Sequence, residues 1–235
     1  MINKVLIIKN ITHEKPGLIL EVLKKKQISY EILDFSKKIS TPNLEKYDLL
    51  IIMGGPDSAN DKSAKILKEL DIIKTAFKKN IPIFGICLGL QLLVKAMYGT
   101  VYRNQVQEIG FKHNKEWYMV KLTNLGLIDP IFKGIEEEFI VFQLHGETVE
   151  FIDNIELLGI GKYCRIQIIK IGEFNYGFQF HFELTEDLLK NWIELAPELR
   201  NYHINQLLKD FEEIKEDYLK RGKIIFKNYL ELWND

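Results

Sequence analysis

The chain has 235 residues, with 32 Lys+Arg against 33 Asp+Glu for a formal charge of −1 at pH 7, and 46% of its residues are hydrophobic. That is the make-up of a globular protein long enough for one large α/β domain or two small ones. No basic footprint exists for a phosphate backbone, so no nucleic-acid partner is expected, and the apolar stretch Leu49 to Met53 falls far short of the roughly 20 residues a membrane span needs.

In chain order, Val5 to Ile8 predicts a strand that Lys9 and Asn10 close too early for it to serve as the core of a signal peptide. A cytoplasmic protein is therefore expected. Pro16 to Gln27 predicts a helix opened by proline, and Tyr30 to Phe35 a second strand. Asp48 to Met53 and Ile81 to Ile86 predict further strands, separated by a helix over Ser63 to Lys79 with Ile66, Leu67, Leu70, Ile73 and Phe77 on one face. Strand, helix, strand at this spacing means parallel pairing, and the unbroken Leu49–Met53 run suits strands covered on both faces. From Tyr98 to Ile171 the period shortens to two, with candidate strands at Trp117 to Leu122, Phe139 to Leu144 and Cys164 to Ile171 that read as antiparallel additions. Tyr176 to Phe180 predicts a last strand before a helix near Thr185. No Gly/Ser/Pro-rich linker precedes that helix, so one domain is expected over 1–196, with a helical extension over 197–235 packed on it. That extension carries two apolar stripes, Ile204, Leu207, Leu208, Phe211 and Ile214, then Ile225, Tyr229, Leu232 and Trp233. Their opposite face is charged, through Lys209, Glu212, Glu213, Lys215 and Glu216. Packing on the parent domain is the favoured reading, with a homodimer interface or a cap over the cleft as alternatives.

The segment Ile81 to Gln91 carries the most chemistry. An apolar strand runs into Gly85-x-Cys87-x-Gly89 and then into a helical pattern, the form of a nucleophile elbow with Cys in place of Ser. A tight turn would lift Cys87 out of the sheet, flanking glycines would permit the close packing, and the following helix would aim its N-terminus at the sulfur. The alternative for Cys87 is a small buried hydrophobe. In Tyr176 to Glu183, His181 ends an apolar strand with Glu183 two residues on, where an extended chain puts both on one side. A surface histidine beside an incidental carboxylate is the alternative. Gly54-Gly55-Pro56-Asp57-Ser58 follows another strand, and Leu144-His145-Gly146-Glu147 a fourth; each could line a cleft or be an ordinary turn. Cys164, His13, His113 and His203 read as structural or solvated, and no His or Cys spacing supports a metal site.

In this order, the motifs Gly-Gly-Pro-Asp-Ser (54–58), Gly-Ile-Cys-Leu-Gly-Leu-Gln (85–91), Leu-His-Gly-Glu-Thr-Val (144–149) and Gln-Phe-His-Phe-Glu (179–183), with Glu108-Ile109-Gly110 between, resemble the class I glutamine amidotransferase family. The likeness is greatest to stand-alone members, among them γ-glutamyl peptidases. It implies a flavodoxin-like α/β fold, a mostly parallel sheet flanked by helices, with antiparallel additions. It also implies Cys87 as nucleophile on the glutamine amide, His181 as proton shuttle and Glu183 as its orienter. Gly55 and Leu88 match the oxyanion-hole N–H groups, Gln91 matches a contact to bound glutamine, and His145, Gly146 and Glu147 match the loop near the substrate's amino-acid head. Three positions depart from the family pattern: Phe182 replaces its proline, Glu147 its aspartate and Leu144 its tryptophan or glutamine. The longer Glu147 bears on the choice between free glutamine and another γ-glutamyl compound. The resemblance implies no cofactor, and since no synthetase or P-loop motif is present, a separate synthetase subunit would have to accept the ammonia. The competing readings are a cysteine peptidase of related fold and a non-catalytic metabolite- or partner-binding relative.

Overall fold

The computed structural model describes residues 1–150, 152–199 and 204–233. His203 lies outside them. The first half alternates as expected: β1 (Lys4–Lys9), α1 (Leu18–Lys25), β2 (Ser29–Asp34), β3 (Leu49–Ile52), α2 (Ala64–Lys78), β4 (Ile83–Ile86) and α3 (Leu88–Ala96). Then come β5 (Val101–Gly110), β6 (Lys112–His113), β7 (Glu116–Trp117), β8 (Met119–Leu122), α4 (Asn124–Ile128), β9 (Glu138–Ile140), β10 (Gln143–Val149), β11 (Ile155–Gly161), β12 (Ile166–Ile171) and β13 (Asn175–Phe178). Helices α5 (Glu186–Leu195) and α6 (Ile204–Glu231) complete it.

Nine strands form one sheet in the order β2-β1-β3-β4-β13-β12-β11-β8-β9. From β2 through β13 the pairing is parallel; from β13 through β9 it is antiparallel. Alternation along each parallel strand feeds two cores. Val5, Ile7, Leu49 and Ile51 pack with Val22 and Leu23 of α1 and with Phe226 and Tyr229 of α6. Leu6, Ile8, Leu50 and Ile52 pack with Ile66 and Ile73 of α2 and Leu92 of α3 on the other face. All four side chains of β3 are fully buried, each contributing about 1.5–3 kcal/mol. This is why the strand reads as an unbroken apolar run.

Some boundaries differ from the sequence expectation. The expected strand Phe139 to Leu144 is two strands in different sheets: β9 closes the edge of the main sheet, whereas β10 leaves it to pair with β5. Trp117 to Leu122 is likewise split, between the β6–β7 hairpin and β8. The two C-terminal stripes belong to a single helix, α6, of 28 residues and thus about 42 Å. Its first half packs in a third cluster through Leu207, Phe211 and Tyr218, and its second half in the first cluster through Ile225, Phe226 and Tyr229. Ile204, expected in the first stripe, is 44% exposed instead. Among the described residues, no helix is long and apolar enough to cross a membrane.

In the parallel half, β1, β3, β4 and β13 are consecutive neighbours, so the loops leaving their carboxyl ends lie side by side. Open α/β sheets place their sites there.

Candidate active site

Cys87 leaves β4 with φ 53° and ψ −106°, a backbone conformation that costs a non-glycine residue about 1–3 kcal/mol. The turn is held from both sides. The Cys87 N–H donates to Phe178 O of β13 at 2.7 Å, and its carbonyl accepts from Gln91 N–H at 3.2 Å as α3 begins. Glycine is obligatory around it: a Cβ on Gly89 would lie 2.2 Å from Ile52 O, and one on Gly85 would lie 2.6 Å from the Gly89 carbonyl. The Leu88 N–H, at the first position of α3, is one of those a helix leaves without an internal partner.

His181 and Glu183 follow β13. They do meet, with His181 Nδ1 and Glu183 Oε1 2.8 Å apart, but not in the extended chain expected: β13 ends at Phe178, and Phe182 and Glu183 lie in a turn. Both side chains are buried. Burial alone would lower the His181 pKa, yet the Glu183 carboxylate and the neighbouring Cys87 outweigh it and hold the ring well above the ordinary histidine range. Nε2, on the other side of the ring, has no hydrogen bond to any other group and is left for the sulfur. Trp192 of α5 packs edge-on against the imidazole, with centroids 4.9 Å apart.

Contacts to its backbone from α1 and α6 help fix this turn, none foreseen in the sequence. Leu18 N–H, at the start of α1, donates to Glu183 O at 2.9 Å. Gly17 makes that approach possible: its φ is +46°, and a Cβ there would lie 2.0 Å from the same oxygen. From α6, the Tyr218 hydroxyl donates to the His181 carbonyl, and Gly222 lies so close that a Cβ would fall 2.5 Å from Phe182 O. Pro16-Gly17 is the sequence signal for the first of these, although by itself it reads only as a helix opening.

The Gly54-Gly55 loop after β3 completes one wall. A Cβ on Gly54 would meet His181 Cε1 at 2.9 Å, Glu14 Oε2 at 3.1 Å and Cys87 Cβ at 3.5 Å. Gly55 faces Asn10 and the Leu88 side chain instead. Glu14, which sequence reasoning passes over, is thus a buried carboxyl close to His181 and Cys87.

The β10 segment forms the opposite wall. The Cys87 thiol faces Leu144 O at 3.8 Å, and Gln179 Nε2 lies 3.7 Å from Cys87 Sγ. Gln91 Nε2 donates to Glu147 O at 3.1 Å, so that side chain ties α3 to β10. The Glu147 carboxylate accepts from Ser58 Oγ at 3.0 Å, joining the β10 wall to the β3 loop. Gly146 sits at the register shift between His145 and Glu147. His145 is turned away, its Nε2 3.0 Å from Glu108 Oε2 and its Nδ1 3.0 Å from Glu147 O. Ligand atoms of Glu108, His145 and Cys164 lie within 4.8 Å of one another, close enough to hold a metal. Each has a protein partner, however: Cys164 Sγ is 3.1 Å from Thr148 Oγ1, and burial pushes its pKa up to about 12, keeping it a neutral thiol.

Similarity to known proteins agrees with this geometry. A glutamine amidotransferase of Thermotoga maritima superposes with a TM-score of 0.85 at 28% identity, covering 97% of this chain and 98% of that one. The glutamine amidotransferase-like protein YfeJ of Salmonella typhimurium is 29% identical over 158 residues, 65% of this chain and 64% of the relative. The glutamine-hydrolysing GMP synthase subunit of Pyrococcus abyssi is 34% identical over 158 residues, 64% of this chain and 76% of the relative. Longer GMP synthases are matched over a smaller part of their length, 27% in Cytophaga hutchinsonii. The family model for glutamine amidotransferase class-I matches residues 16–193, which span the Gly54-Gly55 loop, the elbow, the β10 wall and the His181 turn, and the chain therefore belongs to the class-I glutamine amidotransferase family.

Proposed function

We propose that this chain hydrolyses the side-chain amide of glutamine through a γ-glutamyl thioester on Cys87, releasing glutamate and ammonia. The observation that carries this reading is the strained elbow of Cys87 at the start of α3, set beside a His181 ring whose far nitrogen is held by Glu183. The thiol gives its proton to His181 Nε2, a transfer the raised pKa of the ring favours, and the sulfur attacks the amide carbon as the thiolate. Backbone N–H groups, those of Leu88 and Gly55, are assigned the developing oxyanion. The C–N bond then breaks, and His181 returns its proton to the leaving nitrogen, which departs as ammonia. In the second half, His181 takes a proton from water, hydroxide attacks the thioester, the C–S bond breaks and the thiol is reprotonated. Gln91, His145, Gly146 and Glu147 are assigned to the amino-acid end of the substrate, Gln91 and His145 by holding the β10 wall and Glu147 by its charge.

Ammonia released here would pass to a synthetase, the activity in the name of the Pyrococcus abyssi relative. A second reading changes only the leaving group: a γ-glutamyl peptidase would expel an amino acid, in place of ammonia, as the same thioester forms. The carboxylate of Glu147, longer by a methylene than the family's aspartate and fixed by Ser58, favours a cleft spaced differently at that end. Glutamate release from glutamine and from a panel of γ-glutamyl dipeptides, by the native chain and by Cys87→Ala, tests both. Turnover on glutamine that vanishes in Cys87→Ala is expected. Turnover confined to dipeptides selects the peptidase, and turnover that survives in Cys87→Ala overturns both.

A further inference from the structure

Resting on the reading of Cys87 and His181 as the reacting pair, we propose that Glu14 is a positioning carboxylate for His181, lying on the Gly54 side of the ring and governing how firmly the imidazole keeps its proton. Nothing in the triad requires a second carboxyl here, and burying one is costly. Glu14 lies in the loop between β1 and α1, is 8% exposed, and is separated from the ring by a single glycine. The Cβ position of Gly54 is 3.1 Å from Glu14 Oε2 and 2.9 Å from His181 Cε1, so the two atoms are within about 6 Å of each other. Only glycine leaves that gap open. Glu183 holds Nδ1 of the same ring, so two carboxyl groups lie close to one imidazole.

The charged groups that act on Glu14 are His181 and Glu183 from the turn after β13, Glu198 from the short helix Pro197–Leu199, and Lys9 from the end of β1. Burial raises its carboxyl to about 7, and the charge of His181 works against that rise. Glu14 therefore changes charge in the region of neutral pH. An anion near an imidazole favours the imidazolium. Ionisation of Glu14 thus strengthens the hold of His181 on its proton over the range in which the ring must lend that proton to the leaving nitrogen and recover it from water.

The test is a pH titration of the full chain with carbon-13-labelled histidine, following the His181 Cε1–H resonance, with iodoacetamide alkylation of Cys87 measured across the same pH range. In the native chain an inflection near pH 7 is expected in the His181 resonance, from Glu14. In Glu14→Gln, which keeps the volume, the inflection should vanish and the ring's own midpoint should fall by about one pH unit, tenfold less imidazolium at a given pH above it. The pH dependence of alkylation should shift with it, and Glu14→Asp should restore part of the inflection. Unchanged His181 and alkylation profiles in Glu14→Gln overturn the proposal. So does a native titration with no inflection between about pH 6 and 8, a result that needs no variant to fold. Neither probe requires turnover, so an inactive protein with the expected titration would count against the glutaminase reading alone.

Discussion

Replacing Glu183 by Gln should lower Cys87-dependent turnover by roughly 10³- to 10⁴-fold while leaving a folded chain. The carboxylate lies 2.8 Å from His181 Nδ1, and its charge is the largest influence opposing the burial that would strip the ring of its proton. A glutamine fits the same volume but fails in either orientation. With its amide nitrogen toward Nδ1, it forces the ring proton onto Nε2, which can no longer accept from the thiol. With its oxygen toward Nδ1, the tautomer survives but the charge that holds the imidazolium is gone. The loss should fall on kcat, because Glu183 touches the histidine rather than the substrate. Single-turnover release of ammonia measures this directly, and a rate within tenfold of the native chain would remove Glu183 from the mechanism.

A chain ending at Leu199, without α6, should not fold to a cooperative native state. Helix α6 buries Leu207, Phe211, Tyr218, Ile225, Phe226, Tyr229 and Leu230, and its second half packs beside α1 on one face of the sheet. At about 1.5–3 kcal/mol for each large side chain, the loss equals or exceeds the roughly 5–15 kcal/mol that holds a typical domain together. The effect should also be graded: Phe226→Ala, which removes a ring packed edge-on against Phe84 of β4 at 5.7 Å, should lower Tm by roughly 10 °C. Circular dichroism melts of both variants provide the measurement. A truncated chain melting cooperatively at the native temperature would show that α6 is an appendage.

The parts of the site that the sequence reveals are those built from short segments. The elbow is legible because Gly85-x-Cys87-x-Gly89 packs its requirements into five residues, and Gly85 and Gly89 each touch backbone where a Cβ would collide. The parallel strands are legible because burial on both faces leaves unbroken aliphatic runs such as Leu49 to Ile52. The His181–Glu183 pairing follows from the sequence by the wrong geometry: two residues apart is close enough in a turn as well as in a strand.

What stays hidden depends on contacts distant in sequence. Glu14, flanked by His13 and Lys15, looks like part of a solvated loop until β1 and β13 are seen to share one end of the sheet. The Tyr218 bond to His181 O joins residues 37 apart, and no periodicity reports it. Phe139 to Leu144 reads as one strand because its apolar pattern continues, whereas the backbone switches sheets between Ile140 and Gln143. In β5, polar residues run consecutively from Arg103 to Gln105 and resume at Gln107, opposite a register shift, so neither a helical nor a strand period emerges.

The mechanism stands or falls on Cys87, and not the second cysteine, carrying the γ-glutamyl group. A glutamine analogue bearing an electrophilic ketone, applied to the native chain and followed by peptide mass mapping of the label, decides this. One equivalent of label is expected on the peptide containing Cys87, with protection by glutamine and no label in His181→Asn on the same timescale. Label on Cys164, whose thiol is buried and pushed up to about 12, or equal labelling of the two cysteines, would contradict the mechanism.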